Sequence, residues 1–115
     1  MQHGFVEAAG HNLEYRLIPA HQLNRPTLVF LHEGLGSLAM WRDFPAKVAA
    51  ATGCRTLVYS RYGYGESDVL TEPFAVRYMH DEALVALPEL LDKLEIDKPV
   101  LVGHSDGGSI ALIHA

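Results

Sequence analysis

Short apolar runs set the rhythm of this chain. Residues 27–31 read TLVFL, 55–59 read RTLVY and 100–102 read VLV. Such compact runs of β-branched and large apolar residues are the pattern of strands buried on both faces. Upstream, residues 5–8 and 13–18 read as two further short strands around Ala9-Gly10-His11-Asn12, a hairpin signal. Residues 19–25 are polar and loop-like.

Helical spacing fills the gaps between the runs. Residues 38–42 suit a single turn. Pro45 suits the first position of a helix, with Asp43 as its cap, and Gly53 suits its stop. Residues 76–94 carry Leu84, Leu87, Leu91 and Leu94 at helical spacing. Pro88 lies inside that segment and removes a hydrogen bond, so a kink or split is expected there. The acidic residues of this helix are expected to form a solvated face. Residues 109–115 are apolar on most sides, as in a covered helix. Three opening strands followed by alternating helices and strands predict an α/β domain, with five strands in a mostly parallel sheet and flanking helices.

Loops at the carboxyl ends of parallel strands are where such sheets bind ligands. Residues 32–37 (HEGLGS), 60–68 (SRYGYGESD) and Ser105 all fall at those ends. Gly103-His104-Ser105-Asp106-Gly107 matches G-x-S-x-G. The bare pattern is weak, arising by chance in roughly a few per cent of chains this long. Between a buried strand and an apolar helix it describes a serine exposed on a sharp strand-to-helix turn. Gly103 and Gly107 are small where that turn brings the backbone close to neighbouring chain.

Composition narrows the classes. The chain has 115 residues, a formal net charge of −5 and 49% hydrophobic content, which suits one globular domain or a piece of one. The acidic balance gives no support for nucleic-acid or membrane-surface partners. No segment approaches a membrane span, and the N-terminus lacks the basic region and apolar core of a signal peptide, so a cytoplasmic location is the default. The one cysteine, Cys54, excludes an internal disulfide and suits a buried inert thiol. No histidine or acid spacing suggests a metal site, and no cofactor is implied.

Seven histidines are present. His114 lies nine residues past Ser105 on a helix, roughly 13 Å away and too far for a general base. The His104 side chain should leave the far side of the turn and pack there. His32 should fix its own loop by hydrogen bonds, or touch substrate. Trp41 and Phe44 either cover the sheet or line an acyl pocket.

With LHEGLGS, RYGYGES and GHSDGG following one another in this order, the chain resembles the α/β-hydrolase superfamily over nearly its whole length. The resemblance implies that Ser105 is a nucleophile. The backbone N–H groups of Asp106 and Gly34 would stabilise an oxyanion, and His32 and Leu35 would stand beside substrate. Glu33 replaces a common glycine; it either points away and bonds the loop or tunes substrate choice. Ser60 and Tyr62 stand where relatives often carry Asp and Pro or Arg. A serine at the nucleophile position argues against epoxide hydrolases and haloalkane dehalogenases, which use aspartate.

The resemblance further implies a single domain of which residues 1–115 are the N-terminal part, with the later strands, a lid, and the acid and histidine of the triad beyond Ala115. The expected activity is hydrolysis of a small-molecule carboxylic ester, or a related acyl or carbon–carbon substrate, through an acyl-enzyme. An acyltransferase, a cofactor-free perhydrolase or a non-catalytic ligand-binding relative are the alternatives.

Overall fold

The computed structural model describes residues 2–22, 24–34, 36–71 and 76–115. Its sheet holds five strands: β1 (Gln2–Ala8), β2 (His11–Ile18), β3 (Thr27–Leu31), β4 (Thr56–Tyr59) and β5 (Pro99–Gly103). Their spatial order is β1-β2-β4-β3-β5. The hairpin pair β1–β2 and the pair β2–β4 are antiparallel, whereas β3 runs parallel to both β4 and β5. The expected α/β architecture of five strands with flanking helices is present; β4, β3 and β5 form its parallel part, and the hairpin joins it antiparallel.

The hairpin is tighter than the sequence suggests. Only Ala9 and Gly10 separate the strands, and both have positive φ, 53° and 81°. Two consecutive positive φ values are the geometry of a two-residue hairpin loop whose twist matches that of its strands.

Alternation along β3 divides the core. Val29 and Leu31 join Leu13, Tyr15, Leu57 and Tyr59 on one face, under Ala83, Leu87, Leu90 and Ile110. Leu28 and Phe30 join Val58 and Cys54 on the other face, with Leu38, Trp41 and Val48 packed against them. All five β3 residues are buried, which is why this run shows no polar alternation. Trp41 meets Phe30 edge-on at 5.1 Å and stacks near Phe44, so these aromatics cover the sheet. Cys54 is a buried free thiol.

Helix α1 (Phe44–Thr52) has Asp43 at its cap position, but the Asp43 side chain makes no capping bond and Pro45 takes the second helical place. Asp43 instead pairs with Lys47 at 3.3 Å on the surface. Gly53 ends the helix with φ 71°, a left-handed conformation that glycine adopts without steric cost.

The segment around Pro88 is split, as a mid-helix proline demands. It runs as α2 (Tyr78–Asp81), a wider π-helical turn (Glu82–Ala86) and α3 (Leu87–Lys93), with Pro88 in the first turn of α3. A proline ring collides with the carbonyl four residues before it, and a widened turn moves that carbonyl aside. Its acids are not all solvated. Glu82 turns inward and accepts the Tyr59 hydroxyl at 2.6 Å, and Glu89 accepts the Ala9 N–H at 2.7 Å. Burial raises the Glu82 pKa, with the Tyr59 bond opposing. Helix α4 (Asp106–His114) starts directly after Ser105, three residues earlier than its apolar stretch suggests. Among the described residues, no helix is long and apolar enough to cross a membrane.

Candidate active site at the carboxyl ends of three parallel strands

Strands β3, β4 and β5 end side by side, so residues 32–34, 60–68 and 104–105 meet above the sheet. Ser105 occupies the junction of β5 and α4 with φ 58° and ψ −120°. A β-carbon residue rarely adopts this conformation, and it persists only where the surroundings over-determine it. The surroundings here are visible. The His104 N–H bonds the Leu31 carbonyl at 3.1 Å, and the Gly107 N–H bonds the His104 carbonyl at 3.0 Å. The two glycines of the turn permit it. A Cβ on Gly103 would lie 2.5 Å from the Gly107 carbonyl oxygen, and one on Gly107 would strike the carbonyl oxygen of Leu31.

The loop after β3 reaches the same place. A Cβ on Gly34 would lie 3.2 Å from an Asp106 carboxylate oxygen, so Gly34 and Asp106 are neighbours. Among the described residues, neither the Gly34 nor the Asp106 N–H is used in a backbone or side-chain hydrogen bond. Leu35 lies outside the described residues. Glu33 is half-exposed, with its carboxylate 3.8 Å from Nδ1 of His104. His104 is 61% exposed on its side chain and only 6.4 Å from the Trp41 ring, so it flanks the elbow rather than packing under it.

His32 is a buried support. Its Nδ1 donates to the Glu33 carbonyl at 2.7 Å, and its Nε2 accepts the Arg61 N–H at 3.0 Å. Burial, aided by the Arg61 charge, lowers its pKa to about 4, so the ring is neutral near pH 7. Both ring nitrogens are committed to loop backbone. His114 turns to another helix: its Nδ1 meets the Ala83 carbonyl at 2.9 Å, and among the described residues it makes no hydrogen bond to Ser105.

The sequence reading missed the acids and the arginine that hold these loops. Ser60 donates to Glu14 of β2 at 2.7 Å and accepts the Leu38 N–H at 2.8 Å. Glu14 also takes the Glu66 N–H at 3.0 Å. Burial raises the Glu14 pKa, but the Glu66 N–H, Ser60 and His3 together bring it below the ordinary glutamate value. The pattern resembled here often carries an acid at the Ser60 position. In this chain Glu14 brings that carboxylate from the adjacent strand. Arg61 is buried and pairs with Asp106 at 3.0 Å.

Comparison with known proteins agrees with this fold. The alpha/beta hydrolase fold family matches residues 26–115. The chain is 30% identical over 111 residues to a proline iminopeptidase of Lactobacillus helveticus, covering 96% of this chain and 37% of that protein. It is 32% identical to the sn-1-specific diacylglycerol lipase ABHD11 of Danio rerio, covering 90% of this chain and 31% of the relative. Among solved structures, a Vigna radiata epoxide hydrolase mutant superposes with a TM-score of 0.80 at 23% identity, covering 98% of this chain and 33% of that one. A hydrolase from Pseudomonas aeruginosa PA01 superposes at 0.72 with 30% identity, covering 94% and 38%. The chain therefore spans about a third of the length of the relatives it matches. With its elbow, its strand order and a family match across most of its length, the chain belongs to the α/β-hydrolase fold family.

Proposed function

We propose that Ser105 is the nucleophile of a serine hydrolase acting on a small-molecule carboxylic ester, or a related acyl or carbon–carbon substrate. The observation that carries this reading is the conformation of Ser105: φ 58° at a strand–helix junction, with Gly34 of the loop after β3 next to Asp106. In this reading Ser105 Oγ attacks the carbonyl carbon, and the oxygen that gains charge is met by the Gly34 and Asp106 N–H groups. The first turn of α4 adds its positive dipole end. The relatives that are peptidases and lipases support acyl chemistry; the epoxide hydrolase likeness, at 23% identity, supports the fold alone.

The reading needs a base for the serine proton. Among the described residues no histidine hydrogen-bonds Ser105, and the base is proposed to come from chain outside residues 1–115. The protein expressed from its complete reading frame is the one to test. A fluorophosphonate probe is expected to label it, and Ser105→Ala is expected to abolish the label. Labelling that survives the substitution removes the assignment, and no labelling of the unmodified protein favours a ligand-binding role.

A further inference from the structure

One buried cation touches all three loops of the site. Arg61 follows β4 by two residues, and only 4% of its side chain is exposed. Its Nη2 donates to the His32 carbonyl at 3.0 Å, at the end of β3, and to Oδ1 of Asp106 at 3.0 Å, at the start of α4. Its backbone N–H holds Nε2 of His32. The guanidinium carbon lies 5.3 Å from the Tyr64 ring centroid, so an aromatic face covers one side of it.

Asp106 has its own contradiction. In the proposed reading its N–H meets the developing negative charge, yet its carboxylate lies against Gly34, the partner donor in that reading. An anion there opposes a second anion forming within a few ångströms. Tyr78 donates to the other carboxylate oxygen at 3.2 Å, which satisfies a lone pair but adds no charge. Arg61 is the cation that pairs with this carboxylate.

We propose that Arg61 is a positioning residue for the oxyanion site: it ties the ends of β3, β4 and α4 in one geometry and cancels the Asp106 charge beside the two donors. The proposal rests on the acyl-enzyme reading of Ser105. Its own content is electrostatic. The Asp106 carboxylate is partly buried, its side chain 16% exposed; without its partner it remains as a poorly compensated charge, and removing one member of such a pair does more harm than removing both.

The test uses the protein expressed from its complete reading frame, with active sites counted by a fluorophosphonate probe. Turnover of p-nitrophenyl butyrate is read as kcat and KM separately. Arg61→Met is expected to lower kcat roughly 10- to 100-fold while KM changes by less than about threefold, the scale of a weakened oxyanion contact. Asp106→Asn, which slackens the clamp but removes the charge, is expected to cost roughly 3- to 10-fold. The double variant is expected to be faster than Arg61→Met alone, by roughly tenfold, because no carboxylate remains to oppose the intermediate. A double variant as slow as Arg61→Met, or slower, overturns the proposal, since Arg61 would then serve packing alone. If only the double variant folds, the unpaired carboxylate is again the fault that was removed, and the proposal stands. If neither folds, Arg61→Lys decides: the retained charge must keep kcat within roughly tenfold, and a loss equal to that of Ser105→Ala overturns the idea. Failure of the probe to label Ser105 in the unmodified protein is a different result and counts against the acyl-enzyme reading instead.

Discussion

Gly107 shows how little freedom the elbow leaves. Its Cα sits so close to the end of β3 that any side chain meets the Leu31 carbonyl oxygen, with the His32 carbonyl oxygen 2.7 Å away. Backbone cannot yield as a side-chain tip can. Gly107→Val is expected to cost ~3 kcal/mol or more and to remove activity with it, as seen by urea unfolding of the variant. An unchanged midpoint would contradict the close approach. His32 makes a second prediction, on acidity. Its folded pKa is about 4, against 6.5 for an ordinary histidine. Between those values the unfolded chain holds the proton and the folded chain does not, so lowering the pH favours unfolding. The stability His32 contributes is complete above pH 6.5 and is lost as the pH falls toward 4, by up to roughly 3 kcal/mol. His32→Gln should flatten that part of the curve of urea midpoint against pH; an unaltered slope would mean the ring is not held neutral.

Elements were legible in the sequence where one physical signal dominated. TLVFL has no alternation because both faces of β3 are covered, and Pro88 breaks its helix for a local steric reason. The elbow could be read for the same reason: its glycines answer contacts within a few residues and with one neighbouring strand. The supports of the site were hidden because they depend on strand order. Glu14 meets Ser60 only because β2 lies beside β4, and Arg61 meets Asp106 across the gap between two loops. Glu82 looked like one more acid on a solvated helix, yet the π-helical turn and Tyr59 draw it inward. The hairpin offers a prediction at this scale. Ala9 has φ 53°, where a Cβ is disfavoured. Ala9→Gly is expected to stabilise by ~0.5–1 kcal/mol, read as a raised melting temperature. A fall would show that the backbone relaxes around Ala9 at no cost.

Across the whole molecule the two sheet edges differ. The β1 edge begins with a polar stretch, Gln2 and His3, both exposed, and carries one exposed aromatic, Phe5. The β5 edge carries Val100, 45% exposed, and α4 beside it shows Leu112 at 80%. An apolar strand with unpaired backbone groups is a template for another chain. A polypeptide of residues 1–115 alone is therefore expected to self-associate and to show no Ser105-dependent esterase turnover. Light scattering and a p-nitrophenyl acetate assay beside Ser105→Ala check both parts. A soluble monomer with Ser105-dependent turnover would show that a base resides within these residues.

The Glu14–Ser60 contact has a consequence for exchanging parts between relatives. The carboxylate that props the loop after β4 is supplied by a different strand, so the two positions travel as a unit. A chimera that imports a loop bearing aspartate at position 60 while keeping Glu14 would crowd two acids into one buried spot, and they would have to share a proton. A chimera that changes both at once, Ser60→Asp with Glu14→Ser, would keep one acid and one hydroxyl with their strands reversed. The N-terminal hairpin is thus no ornamental leader on this fold: whoever transplants the loop must carry β2 with it.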